Sequence, residues 1–397
     1  MELELKTKFN GGHTETIICI AANNNQHLAT GAEGSQLCLW DQASGKVIYK
    51  TSHNGGSGGI RGMIPDGDVT SVCFSRTQPH NLYCSVDSTI CLYDTRCMDA
   101  MVTKFQYNKE EINQLTLHPK DTYLAACDDS GHVRIVDVQQ RKLYKTLRRH
   151  TNICSSICFH PKLPWHLASG GLDCAVFTWD FSRGKVFNSL NTQELNHEDS
   201  TSAQQTAYSC NPPLVHSVSY SPSGTLLACG LENSMVHVLD FPKRSEVRVK
   251  RTLKGHTQGV SQVCFHGNDL LVSAGNDGRI ILWDMTVYDE GKTLGKVENG
   301  QAREEGACSV PQLQSDLAKT DISSRGQETG AESNSDEKTE SVSKGTESSS
   351  KEDRTHVKVD HGDKINSICP VKLSGSDQRL LFVADQSEVV TVYQISN

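Results

Sequence analysis

The sequence predicts an all-β protein built from seven repeats of one four-stranded unit. Short runs of alternating apolar and polar residues recur along most of the 397 residues, with Gly, Asn and Asp at the turns and no helical period between them. Three of the six intervals between the ends of the third strands are 43 or 44 residues, which fits the period of roughly 40–45 residues for such a unit. The third strands end at Trp40, Tyr93, Val136, Trp179, Leu239, Trp283 and Tyr393, and Asp follows all but the last.

The repeating unit is clearest between residues 255 and 284. A Gly-His pair opens it, residues 260–265 alternate as a strand does, and a second apolar run covers residues 270–275. An Asn-Asp-Gly turn leads into a third strand that ends in Trp-Asp. Seven first strands of this pattern match the seven third strands. They begin at Ile17, Val69, Ile112, Cys154, Val215, Val260 and Ile365.

The Gly-His openings and Trp-Asp ends resemble the WD-repeat family, whose repeats form the blades of a closed β-propeller. The resemblance covers nearly the whole chain except about residues 286–354, and it implies a seven-bladed propeller. Two repeats resemble the family's full tetrad of His, Ser, Asp and Trp, which implies a hydrogen-bonded relay within each blade. A neutral His between a carboxylate and a hydroxyl satisfies polar groups that are costly to bury. The tetrads are His150, Ser169, Asp173 and Trp179, and His256, Ser273, Asp277 and Trp283.

The other repeats depart from the tetrad, and we expect their blades to be less regular. The residues at the expected His position are Pro65, Asn108 and Asn211. The residues at the expected turn Asp position are Gly34, Ser130, Asn233 and Ser387.

The chain ends and the insertions predict how the ring closes. The last repeat stops after its third strand, whereas residues 4–9 precede the first Gly-His pair as an outer strand does. We therefore expect an N-terminal strand to complete the last blade and remove an open sheet edge. Residues 1–285 then form blades one to six and that closing strand, and residues 355–397 form the end of blade six and blade seven. Residues 286–354 are an acidic, Ser-rich insert that we expect to be disordered.

Composition narrows the class of protein. The net charge of −8 argues against a body that binds nucleic acid. The 15 cysteines are scattered singly through apolar runs, as expected of buried thiols in a reducing compartment. No secretory signal pattern and no long apolar run is visible, so we expect an intracellular monomer, cytoplasmic or nuclear, with no membrane partner.

A catalytic interpretation of the tetrads is the weaker one. His256, Ser273 and Asp277 resemble a Ser-His-Asp set, but the same spacing in a second repeat favours a structural role. Cys154 and Cys158 have no second pair of ligands at the spacing of a zinc site. We expect no catalytic, metal or cofactor site, and a non-catalytic scaffold that binds proteins on its narrow face and rim.

One strand end predicts a partner. Tyr93, Asp94 and Arg96 resemble the Trp/Tyr-Asp-x-Arg box through which some WD-repeat proteins dock onto the adaptor of the cullin-four ubiquitin ligase. The other six third strands carry Ala, Gln, Ser, Pro, Thr or Ser at the Arg position. Arg96 is expected to donate a charge-assisted hydrogen bond to a partner carboxylate, with Asp87 ordering the turn that presents the box. The alternatives are a solvated surface Arg, and an assembly or chromatin-associated scaffold with no ligase role.

Overall fold

The computed structural model describes residues 1–23, 26–51, 64–197, 211–243, 246–286, 356–373 and 377–396. Within these ranges the chain forms 28 strands and one short 3-10 helix, Glu194–His197. The strands make seven antiparallel four-stranded sheets, which confirms the seven-bladed β-propeller. Residues 52–63, 198–210 and 287–355 lie outside the described residues, and the last range holds all but the first residue of the predicted insert, 286–354.

Each blade uses four strands that are consecutive in the chain, except blade seven, which takes its outer strand from the N-terminus. Blade one contains β2 Ile17–Ala22, β3 His27–Ala32, β4 Gln36–Asp41 and β5 Val47–Lys50. Blade two contains β6 Val69–Phe74, β7 Asn81–Val86, β8 Thr89–Asp94 and β9 Cys97–Phe105. Blade three contains β10 Ile112–Leu117, β11 Tyr123–Asp128, β12 His132–Asp137 and β13 Lys142–Arg148. Blade four contains β14 Cys154–Phe159, β15 His166–Gly171, β16 Ala175–Asp180 and β17 Lys185–Asn191.

The outer strands of blades six and seven are far in sequence from the other three strands of their blades, as the sequence predicts. Blade five contains β18 Val215–Tyr220, β19 Leu226–Leu231, β20 Met235–Lys243 and β21 Glu246–Lys254. Blade six contains β22 Val260–His266, β23 Leu270–Gly275, β24 Arg279–Asp284 and β25 His356–Asp360. Blade seven contains β26 Ile365–Lys372, β27 Arg379–Asp385, β28 Val390–Ser396 and β1 Glu2–Phe9.

The N-terminal strand closes the ring as expected. Strand β1 pairs antiparallel with β28, with Leu3 opposite Ile395 and Phe9 opposite Val390. The Phe9 ring then packs against both sides of the closure, 6.1 Å from the ring of Trp40 in blade one and 6.0 Å from that of Phe382 in blade seven. One side chain therefore joins the first and last blades.

Polar side chains on the innermost strands link neighbouring blades. The second residue of a first strand donates to the carbonyl of the first residue in the next blade, as Thr70 does to Ile112 and Ser155 to Val215. Asn366 repeats the bond across the closure, with Nδ2 2.9 Å from the Ile17 carbonyl oxygen. These side chains give backbone carbonyls of the next blade a hydrogen-bond donor and so connect the innermost strands of neighbouring blades.

The core is divided into layers, each lying between two neighbouring blades. Leu37 and Leu39 of blade one, for example, share a buried cluster with Val72 and Leu82 of blade two. Every strand is antiparallel to the next, so the turns alternate between two faces. We call the face with the first-to-second and third-to-fourth strand turns the lower face, and the other the upper face. No helix in the described ranges is long and apolar enough to cross a membrane.

Candidate functional site

The structure brings together the four side chains of the predicted tetrad in blade six. His256 Nδ1 lies 3.0 Å from Asp277 Oδ1, and His256 Nε2 lies 2.8 Å from Ser273 Oγ. Trp283 Nε1 donates to the same hydroxyl oxygen at 2.9 Å. Burial opposes ionisation of Asp277, but hydrogen bonds from His256 and the Thr257 amide hold its pKa below the ordinary value.

Blade four repeats this geometry closely. His150 lies 2.9 Å from Asp173 and 2.8 Å from Ser169, and Trp179 donates to Ser169 at 2.9 Å. Ser169 is fully buried beneath its two ring partners. A nucleophile must be reachable by its substrate, and Ser169 is not; the arrangement leaves its buried polar groups hydrogen-bonded.

Two other blades build related clusters with different parts. In blade one Thr30 takes the place of Ser, with His13 Nε2 at 2.6 Å and Trp40 Nε1 at 2.7 Å from its hydroxyl. Burial lowers the pKa of His13 to about 4, so its ring is neutral at physiological pH. In blade seven His361 lies 2.7 Å from both the Tyr393 hydroxyl and a carboxylate oxygen of Asp385.

Blade three replaces the relay with a buried ion pair. Asp128, at the end of β11, accepts hydrogen bonds from Asn108 at 2.9 Å and from the Arg134 guanidinium. Ser130, in the turn that follows, donates to the other oxygen of the same carboxylate. Sequence reasoning missed Asp128 and Asp385 because both stand at the end of a second strand rather than in the turn where the family tetrad has its Asp. Their shared position at the strand end is the signal that identifies them.

The predicted docking box lies where β8 meets β9, on the lower face. Arg96 makes a two-pronged contact with Asp94, Nε to Oδ1 at 3.0 Å and Nη2 to Oδ2 at 2.6 Å. The Arg96 amide donates to Oδ1 as well, at 2.9 Å. These bonds lower the pKa of Asp94 to about 2, so the carboxylate is charged at neutral pH. The Arg96 side chain is 67% exposed, which presents an oriented guanidinium to solvent.

Two roles expected for this box need correction. Tyr93 is 1% exposed and belongs to the core layer between blades one and two, so its side chain does not reach a partner. Asp87 lies in the turn between β7 and β8, on the upper face, at the opposite end of β8 from Arg96. It therefore does not order the turn that carries Arg96. Of the box residues, Arg96 is exposed and Asp94 is half-buried.

Metal binding has no structural support in the part of the chain that the structure describes. No group of three or more His, Cys, Asp or Glu side chains there is arranged to hold a metal ion.

Comparison with known proteins identifies the repeats and one relative of similar length. The family model described as WD domain, G-beta repeat matches residues 4–41, 60–94, 101–137, 141–180 and 247–284. The chain is 31% identical over 293 residues to WD repeat-containing protein 53 homolog from Dictyostelium discoideum, covering 69% of this chain and 77% of the relative.

Two further relatives share shorter stretches. The U3 small nucleolar RNA-associated protein 21 homolog of Schizosaccharomyces pombe is 32% identical over 28% of this chain and 10% of its own length. The DDB1- and CUL4-associated factor 11 homolog of Caenorhabditis briggsae is 30% identical over 21% of this chain and 15% of its own. With the seven-bladed ring, the matched repeats and the long alignment to the Dictyostelium relative, the chain belongs to the WD-repeat family of β-propeller proteins.

Proposed function

We propose that this propeller is a protein-interaction scaffold that docks onto the adaptor of a cullin-four ubiquitin ligase through Asp94 and Arg96. The observation that carries the proposal is the exposed guanidinium of Arg96, held in one orientation by the fork to Asp94 directly after the third strand of blade two. Holding the side chain in place before binding reduces the entropy that association costs. A partner carboxylate or carbonyl then meets charge-assisted donors at a defined position.

The position of the fork distinguishes it from other exposed Arg–Asp pairs. Arg248 makes a similar fork with Asp240 in blade five, at 2.7 and 3.0 Å, and its side chain is 61% exposed. That Arg stands in the outer strand β21, whereas Arg96 stands in the turn two residues after the end of a third strand. Only the second arrangement has the Asp-x-Arg spacing of the docking box.

The name of one relative supports the choice of partner. The Caenorhabditis briggsae protein is named for association with DDB1 and CUL4, and its alignment covers 21% of this chain. Its name makes a cullin-four adaptor the first partner to test.

Affinity purification from cells tests the proposal. Tagged wild-type protein should recover the adaptor, and Arg96→Ala should lose it, because the substitution removes the only candidate donor group of the box that is well exposed. Arg248→Ala is the matched control, since it removes an equally forked and exposed Arg from another blade. Recovery of the adaptor by Arg96→Ala at the wild-type level would refute the docking role.

A second candidate is an assembly scaffold with no ligase role. One relative is named as a protein associated with a small nucleolar RNA, and its alignment covers 28% of this chain. If this second function is correct, the adaptor should be absent from the stable partners of the wild type. The Arg96→Ala variant should then recover the same partner proteins as the wild type.

A further inference from the structure

Exposed apolar side chains concentrate on two adjacent blades. Across the described ranges seven large apolar side chains are exposed, and four of them lie on blades three and four. These four are Leu143, Tyr144, Leu163 and Trp165. Exposed apolar side chains that cluster, rather than scatter singly, mark interaction surfaces.

The aromatic members form one continuous surface across the blade boundary. The Tyr123 ring lies 4.9 Å from that of Tyr144 and 5.8 Å from that of Trp165. Phe181 is buried below and contacts Trp165 at 5.5 Å. His118 Nε2 lies 3.1 Å from the Pro164 carbonyl oxygen, which ties together the first-to-second strand turns of the two blades. We call Tyr123, Tyr144, Leu163 and Trp165, with the basic residues named next, the aromatic–basic surface.

Basic side chains border these rings on the lower face. They are exposed and stand in the lower-face turns of blades three and four, or, for Lys142, at the start of β13: Lys120, Arg141, Lys142, Lys162 and Arg183. Lys145 Nζ lies 5.7 Å from the centre of the Tyr144 ring and donates to the Ser182 carbonyl oxygen at 2.6 Å. The bordering region therefore has several cations held around an apolar centre.

The nearby carboxylates do not cancel this charge at the surface. Asp121 is buried, and its Oδ2 accepts from Ser75 and Thr77 of blade two. Asp180 is buried and accepts a hydrogen bond from Ser182, with Arg183 Nε 3.6 Å away. Asp137 accepts from the Gln140 amide and is half-buried. The exposed charge around the rings is therefore positive, in a chain whose net charge is −8.

We infer that the aromatic–basic surface docks an acidic peptide segment of a partner protein, one that carries an aromatic or aliphatic side chain between Asp or Glu residues. The rings and Leu163 would bury the apolar side chain, and the bordering cations would meet the carboxylates. Aromatic anchors with charged neighbours are typical of the side chains that dominate protein interfaces. This inference is independent of the docking box in blade two.

The ring geometry favours a peptide over a nucleic acid. The Tyr123 ring is tilted by 47° from that of Tyr144 and by 52° from that of Trp165. Single-stranded nucleic acid is bound by ring faces on which successive bases stack, and neighbouring rings tilted in this way do not form such a series.

Trp165 gives a direct optical readout in the full-length protein. It is 41% exposed, whereas Trp40, Trp179 and Trp283 are buried, so a collisional quencher reaches Trp165 first. We expect iodide to quench it more strongly than caesium, because the surrounding cations attract anions.

The binding experiment uses a labelled 12-residue peptide with alternating Glu and Asp around a central Leu-Phe pair. We expect it to bind and to protect Trp165 from iodide. Tyr144→Ala with Trp165→Ala, and separately Arg141→Glu with Lys162→Glu, should each weaken its affinity about tenfold or more. Val102→Ala is the matched control, because Val102 is 50% exposed on blade two, away from this surface. Its affinity should equal that of the wild type.

Four outcomes would overturn the inference. The first is absence of binding, or equal binding of the peptide with Gln in place of its acidic residues. The second is unchanged affinity in both double variants, with their thermal unfolding as in the wild type. The third is preferential binding of a single-stranded oligoribonucleotide. The fourth is shielding of Trp165 from iodide in the free protein. If the shielding increases with protein concentration, the surface binds a second copy of the chain. If the shielding is independent of concentration, the surface binds the chain's own acidic segment.

Discussion

At the scale of single residues, the blades differ in whether the polar group at the Trp position has a hydrogen-bond partner. In blade six the indole N–H of Trp283 has a partner in Ser273, and every member of the relay is satisfied. In blade two Tyr93 takes the Trp position, and its buried hydroxyl has no hydrogen-bond partner among the described residues. A buried hydroxyl without a partner loses its bonds to water and gains nothing in return.

Paired substitutions test this difference. Trp283→Phe removes a satisfied donor and ring volume, and should lower the free energy of unfolding by at least about 1–3 kcal/mol. Tyr93→Phe removes an unsatisfied hydroxyl and should leave that free energy unchanged or raise it. Urea unfolding followed by circular dichroism measures both. A similar loss in the two variants would show that the Tyr93 hydroxyl is bonded in solution.

A buried histidine should make stability depend on pH. Burial lowers the pKa of His237 from 6.5 to about 4, so the folded state holds the neutral ring while the unfolded chain takes up a proton below pH 6.5. Its contribution is therefore complete above pH 6.5 and is lost as the pH falls from there towards 4. Between pH 7 and pH 5 the loss is about 2 kcal/mol.

His237→Gln checks this assignment. The variant should lose about 2 kcal/mol less than the wild type between pH 7 and pH 5, because Gln does not titrate. Urea midpoints at the two pH values supply the comparison. The carboxylates of Asp277 and Asp385, whose pKa values are lowered, lose their contribution only at more acidic pH, so they do not interfere. Identical pH dependence in the two proteins would rule out a contribution from His237.

At the scale of elements, the repeat pattern predicts where the strands lie but does not predict which polar side chains bond to one another. The seven first strands begin at the residues that the alternation indicates, and β1 and β25 occupy the outer positions expected of them. Asp385 escaped detection because the turn residue of blade seven is Ser387, while the carboxylate comes from the end of β27. The spacing of the repeat indicates which backbone segments pair. The hydrogen-bond partner of a side chain depends also on which residues the neighbouring strand places beside it.

Tyr93 illustrates the same limit. It was interpreted as a contact residue because it stands in the docking box, yet in β8 it pairs opposite Leu82 and points into the core. The repeat itself indicates this burial, since Tyr93 holds the position at which the tetrad has its Trp. The position of a residue in the repeat therefore predicts burial better than the short docking motif predicts contact with a partner.

The closing strand should be a major source of stability. Phe9→Ala removes a buried ring that contacts both Trp40 and Phe382, and we expect a loss of about 3–5 kcal/mol. Val102→Ala on the exposed face of another outer strand should change the free energy of unfolding by less than about 0.5 kcal/mol. Urea unfolding compares them. A loss for Phe9→Ala as small as that for Val102→Ala would mean that β1 does not hold the ring closed.

At the scale of the whole molecule, charge is distributed unevenly. Residues 287–355 contain 15 acidic and nine basic side chains, a net of −6 out of −8 for the chain. The rest of the chain is thus nearly neutral in sum, while its lower face carries the cations around Trp165. The sequence alone does not reveal such a surface, because it is assembled from turns of two blades whose side chains meet only when the blades pack together.

The lower face also carries Arg96, so the ligase proposal predicts where an adaptor meets the propeller. Removing that guanidinium should weaken adaptor binding without unfolding the protein, since the side chain is mostly solvated. Thermal unfolding of Arg96→Ala should match that of the wild type, which separates a lost contact from a lost fold.

The most direct test is the dissociation constant of the purified full-length protein for the purified adaptor of the cullin-four ligase. We expect saturable binding by the wild type and by Arg248→Ala with the same constant, and binding about tenfold or more weaker by Arg96→Ala. Absence of binding by the wild type, or equal constants for Arg96→Ala and the wild type, would contradict the docking proposal.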